Sequence, residues 1–92
     1  MANYVENYKL FRDRPLVKNG SIMCYGDPAQ GVVAVFTILT TKEFKGKDIP
    51  DLIFIQVIDT KTNEVLKQAE RNGLYNALDL GSVWLERELK KS

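Results

Sequence analysis

Gly31 to Thr41, Gly-Val-Val-Ala-Val-Phe-Thr-Ile-Leu-Thr-Thr, restricts this chain more than any other stretch, since nearly every side chain in it is apolar or β-branched. Such a run reads as the central strand of a sheet. Side chains alternate between faces along a strand, so Val32, Ala34, Phe36 and Ile38 form one wholly apolar row, and Val33, Val35, Thr37 and Leu39 form a second that is nearly so. Both faces therefore need to be covered or crowded. The first row is the natural floor for a helix; if no part of this chain covers the second, a partner does.

Elements on either side supply the rest of the sheet. Asn3 to Asp13 reads as a helix, because Asn3 can cap its first turn, Glu6 follows three residues on, and Tyr4, Tyr8 and Phe11 recur at helical spacing. Arg14 precedes Pro15, which disfavours continuing it. Leu16 to Lys18 and Ser21 to Tyr25 then flank Asn19-Gly20, a strong signal for a two-residue hairpin turn. That turn sets Lys18 opposite Ser21, Val17 opposite Ile22 and Leu16 opposite Met23. Gly26-Asp27-Pro28-Ala29-Gln30 is a turn cluster that doubles the chain back into the central strand.

Beyond the central strand, Lys42 to Asp51 has the composition of an exposed loop, broken by Gly46 and Pro50, with Phe44 its lone aromatic residue. Leu52 to Asp59 is a second rich strand, whose clean apolar row is Ile53, Ile55 and Val57. Asp59 to Asn63 is a turn leading into Glu64 to Ala69, which fits either a strand or a short helix. From Leu74 to about Lys90 the periodicity is helical, gathering Leu74, Ala77, Leu78, Gly81, Trp84, Leu85 and Leu89 on one side. Gly81 within that stripe costs about 1 kcal/mol against alanine, which close approach of the helix to the sheet would explain. The expected architecture is α+β: an antiparallel β-meander of about five strands, flanked by an N-terminal and a C-terminal helix packed on the sheet, as a single domain over residues 1–92.

What the chain lacks narrows its chemistry. It has no histidine, which removes the commonest general acid and base and every histidine-dependent triad, and Cys24 is its only cysteine, which excludes an internal disulfide. Without a neighbouring base, Cys24 reads as a buried strand cysteine rather than a nucleophile. Thirteen basic residues face twelve acidic ones, a formal net charge of +1, so polyanion binding has to come from a local patch. Asp27, Asp48, Asp51 and Asp59 fall at strand ends but are explained by backbone hydrogen bonding in turns. Gly46-Lys47 lacks the other residues of a phosphate loop. No cofactor, metal site or catalytic set is expected. No bilayer-spanning helix or signal peptide is evident, and a cytoplasmic location follows as the expectation.

Two surfaces remain as candidates. Leu80, Val83 and Arg87 fall away from the packed side of the last helix and mark a protein-binding surface, with a second copy of the chain as its partner. Arg12, Arg14 and Lys18, with Lys42, Lys45 and Lys47 in the loop, mark the alternative, weak nucleic-acid binding. The order helix, sheet, helix is similar to that of the double-stranded RNA-binding domain. That family's lysine cluster at the start of its second helix corresponds here to Asn72-Gly73-Leu74-Tyr75-Asn76, which has no lysine. The segment Tyr8-Lys-Leu-Phe-Arg-Asp-Arg-Pro-Leu-Val-Lys-Asn-Gly20, with the closing helix, resembles small uncharacterised proteins carried by bacterial conjugative mobile elements. That resemblance implies a setting and no catalytic motif.

Overall fold

The computed structural model describes residues 8–91 of the chain. Among the described residues eight strands precede one α-helix: β1 (Tyr8–Phe11), β2 (Arg14–Asn19), β3 (Ile22–Tyr25), β4 (Val32–Ile38), β5 (Thr41–Phe44), β6 (Lys47–Pro50), β7 (Leu52–Asp59), β8 (Val65–Asn72) and α1 (Leu74–Lys91), with a 3-10 turn at Pro28–Gln30 between β3 and β4. Six of the strands form one sheet in the order β1-β2-β3-β4-β7-β8, with every neighbouring pair antiparallel. It is a meander into which the ribbon β5–β6 is inserted between β4 and β7.

Three expectations change. The N-terminal helix is replaced, from Tyr8 onward, by strand β1; the remainder of that expected helix lies outside the described residues. Arg12 and Asp13 take φ of 52° and 67°, which no right-handed helix permits, and they form the two-residue turn between β1 and β2. Tertiary contact outweighs local helix preference here: Phe11 meets Tyr25 edge-on at 5.7 Å, and the Tyr25 hydroxyl donates to the Phe11 carbonyl at 2.7 Å.

The hairpin after β2 turns one residue later than Asn19-Gly20 suggests. Asn19 pairs with Ile22, Val17 with Cys24 and Leu16 with Tyr25, so Gly20 and Ser21 form the turn. Gly20 has φ 63° and Ser21 has no positive φ, the pattern in which glycine fills the first central position of a type II′ turn. Because each strand partner moves by two positions, the face assigned to every side chain survives the change.

Residues 41–50, expected as a loop, form the ribbon β5–β6 around Lys45 and Gly46, both at positive φ (52° and 81°). The ribbon prolongs the β4–β7 pair past an irregularity at Thr40, whose side-chain oxygen accepts from the Leu52 amide. Its addition, with β1, raises the strand number from about five to eight.

The core lies between one face of the six-stranded sheet and α1. Transverse rows across that face run Leu16, Tyr25, Ala34, Val57, Lys67 and Lys18, Met23, Phe36, Ile55, Ala69. Tyr25, Ala34, Phe36, Ile53, Ile55 and Val57 are almost wholly buried, beneath Ala77, Leu78 and Leu85 of the helix. The floor expected in Val32, Ala34, Phe36 and Ile38 is therefore real. Gly81 is buried too, and a Cβ there would collide with the Phe36 ring, so the helix backbone lies directly on the sheet. Residues 64–69, open between strand and helix from the sequence, belong mainly to strand β8, which closes the sheet with Lys67 Nζ 5.6 Å from the Trp84 ring centroid. No helix among the described residues is long and apolar enough to cross a membrane.

Candidate interaction surface

The second face of the sheet is built from the residues that alternate with the core rows. One transverse row reads Asn19, Ile22, Thr37, Phe54, Glu70, and the next Val17, Cys24, Val35, Gln56, Gln68. A third joins Val33, Ile58 and Val65. From β2 across to β7 no side chain in these rows carries a charge. Among the described elements only α1 packs across the sheet, and it occupies the other face. Val17, Ile22 and Val65 are exposed, Val35, Phe54 and Ile58 are half-buried, and Val33 is buried. Cys24, expected to be buried, is exposed instead, because its place in the β3 alternation puts it on the face opposite α1, where it pairs laterally with Val35 near the middle of the six strands.

The helix surface expected from Leu80, Val83 and Arg87 does not form as one patch. Leu80 is half-buried and packs against the core, so its apolar surface is already in use. Val83 and Arg87 remain exposed and line a shallow groove of about 270 Å³ beside the β1–β2 turn, with Arg12, Tyr25, Ser82, Glu86 and Lys90.

The basic residues are likewise divided. Arg12 donates to Asp79 at 2.8 Å and to Ser82 at 2.7 Å, and Arg14 donates to Glu86 and to Gln30. Both guanidinium groups thus fasten the first hairpin to α1 rather than standing free. Lys42, Lys45 and Lys47 lie on the ribbon beyond Ile38, at the opposite end of the sheet, and exposed Lys18 sits on the β2–β3 hairpin. No single basic face joins the six.

The hydrogen bond from Arg14 holds the Glu86 carboxyl below its ordinary range, and the same bond raises Arg14; burial, first among its causes, pushes the Tyr25 phenol up. A depressed carboxyl contributes stability above its unfolded pKa and loses it as pH falls through the folded value. Glu86 is half exposed, so the effect is small, well under about 1 kcal/mol. Urea midpoints measured between neutral pH and about pH 3 are expected to fall less in Glu86→Gln than in the parent. An equal fall in both would remove this pair as a source of acid sensitivity.

The carboxylates are occupied locally. Asp27 accepts from the Ala29 amide, Asp59 from the amides of Lys61 and Thr62, and Asp51 from Asn72. Asp27 and Asp59 lie at the Val32 end of the sheet and Asp48 and Asp51 beyond its Ile38 end, separated by roughly 20 Å of strand. No group of three potential metal ligands occurs among the described residues.

The open face also includes Phe54 and Ile58, which are not among the candidate residues read from the sequence. Their signal lies in the alternation of β7, where Leu52, Phe54 and Ile58 occupy the row opposite Ile53, Ile55 and Val57. No protein-family model, curated protein or solved structure matches this chain.

Proposed function

We propose that the chain is a non-enzymatic, self-associating interaction module in which the open sheet face packs against the same face of a second copy. The observation that carries this reading is the uncharged block from Val17 to Ile58 on a face that no described element covers. In a two-fold assembly each side chain meets a copy of the same surface, so a patch bearing charge of one sign opposes itself. This block escapes that penalty. Its four central strands span roughly 19 Å across and about 20 Å along, a footprint of about 380 Å² per copy and roughly 760 Å² over two, the size of a weak, concentration-dependent interface. Sheets packed in this way stand about 10 Å apart with interdigitated side chains.

Cys24 reports directly on the arrangement, because it lies near the middle of the face and is exposed in the single chain. Sedimentation over a wide concentration range is expected to show a species of twice the chain mass. Maleimide labelling of Cys24 is expected to slow in parallel as that species forms. A monomer at every concentration, with constant thiol reactivity, refutes the reading; a dimer whose Cys24 stays fully reactive moves the interface elsewhere.

A further inference from the structure

The ribbon β5–β6 stands apart from this reading. A two-stranded ribbon is marginal in water by itself, and these two strands contact chiefly each other. Alternation along the paired strands sorts their side chains by chemistry: Lys42, Phe44, Lys47 and Ile49 share one face, and Thr41, Glu43, Asp48 and Pro50 share the other. Lys45, in the turn, brings its ammonium to 5.4 Å from the Phe44 ring centroid and so adds a third cation to the first face. Phe44 itself is 57% exposed. On the second face Glu43 and Asp48 are directly opposed, an unfavourable cross-strand pair. One side of the ribbon is thus cationic with a bare aromatic ring, and the other repels anions.

We propose that the Lys42, Phe44, Lys45 and Lys47 face binds single-stranded nucleic acid, the Phe44 ring stacking on a base while the ammonium groups hold the flanking phosphates. The pairing of an exposed ring with cations is the sequence-tolerant mode by which single strands are held. Side chains two residues apart on a strand stand about 6.6 Å apart, which sets Lys42 beside Phe44 at the scale of neighbouring nucleotides. A duplex keeps its base faces stacked and offers the ring nothing. With a whole-chain charge of only +1, the attraction has to come from a local group of cations such as this one. Arg12 and Arg14 take no part, since Asp79 and Glu86 already hold them.

Fluorescence anisotropy of a labelled oligothymidylate tests this. Binding is expected at low salt and weakens with a log–log slope of about −2, as three phosphate contacts on a single strand require. Phe44→Ala is expected to weaken it roughly tenfold or more, and Phe44→Leu, which keeps the ribbon apolar without a π face, to do the same. The double variant Lys42→Glu, Lys47→Glu is expected to abolish binding, while Glu43→Gln with Asp48→Asn retains or tightens it. Thermal midpoints should hardly move, because these side chains lie outside the core. No binding at low salt overturns the proposal, as does equal affinity for duplex or heparin, or indifference to both Phe44 variants. Val35→Lys, on the open sheet face, is expected to leave oligonucleotide binding intact, which separates this result from the fate of the dimer.

Discussion

Gly81→Val is expected to cost about 3 kcal/mol, lowering Tm by roughly 12–24 °C for a chain of this size. Ordinary helix propensity argues the other way, since replacing a mid-helix glycine removes a penalty of about 1 kcal/mol against alanine. The contact with Phe36 decides the sign. A Cβ at position 81 enters the space of the Phe36 ring, which is fully buried in the core cluster that β3, β4, β7 and α1 build. The helix must rise off the sheet or the ring must leave its rotamer, and either loosens the contacts of Ala77 and Leu85 as well. A double-mutant cycle isolates this cause. Phe36→Leu shortens the ring, so Gly81→Ala is expected to cost at least about 1 kcal/mol less in that background than in the parent, a coupling typical of residues in contact. Strictly additive costs would show that the glycine serves some other purpose.

The same pair shows which elements a sequence period specifies. Val32, Ala34 and Phe36, Ile53 to Val57, and the stripe around Gly81 each carry a strong period, and each pairs where that period places it. The edges were harder. Tyr8 and Phe11 satisfy helical spacing as readily as a strand, and the contact that chooses between them, Phe11 with Tyr25, lies fourteen residues away. The ribbon carries no strand signal, because lysine, glutamate and aspartate are poor strand formers and Gly46 and Pro50 are ordinary loop signals, whereas backbone bonds at Leu39, Thr40 and Asp51 carry the β4–β7 pairing on to its base. Leu80 illustrates the limit of a helical wheel: the wheel gives a direction, but not the width of the sheet beneath it, and this sheet is wide enough to reach Leu80. The open face was legible in one row of β4 alone, and its extension through Cys24 and Phe54 needed the register.

Lysine at two adjacent positions of β4 is expected to give opposite outcomes. Phe36→Lys places an ammonium under α1, where no carboxylate is available and Ser82 is the one buried polar side chain among the described residues. Burying an unpaired charge exceeds the marginal stability of a small domain, so this variant is expected to lose cooperative unfolding and near-ultraviolet dichroism altogether. Val35→Lys points the same group to the other side, between Cys24 and Gln56, where its flexible stem can lie along the sheet and its charge can reach water. The cost to the single chain is expected to stay near about 1 kcal/mol, the span of strand preference. In a dimer through this face, however, the introduced ammonium of each copy would be placed near the shared centre with no acidic side chain from β2 to β7 to offset it, so sedimentation is expected to show a folded monomer. A folded Val35→Lys chain that still dimerises would assign the association to an edge strand or to α1. The contrast turns on a single step along one strand, because that step alone decides whether a side chain meets the helix of its own chain or the sheet of another.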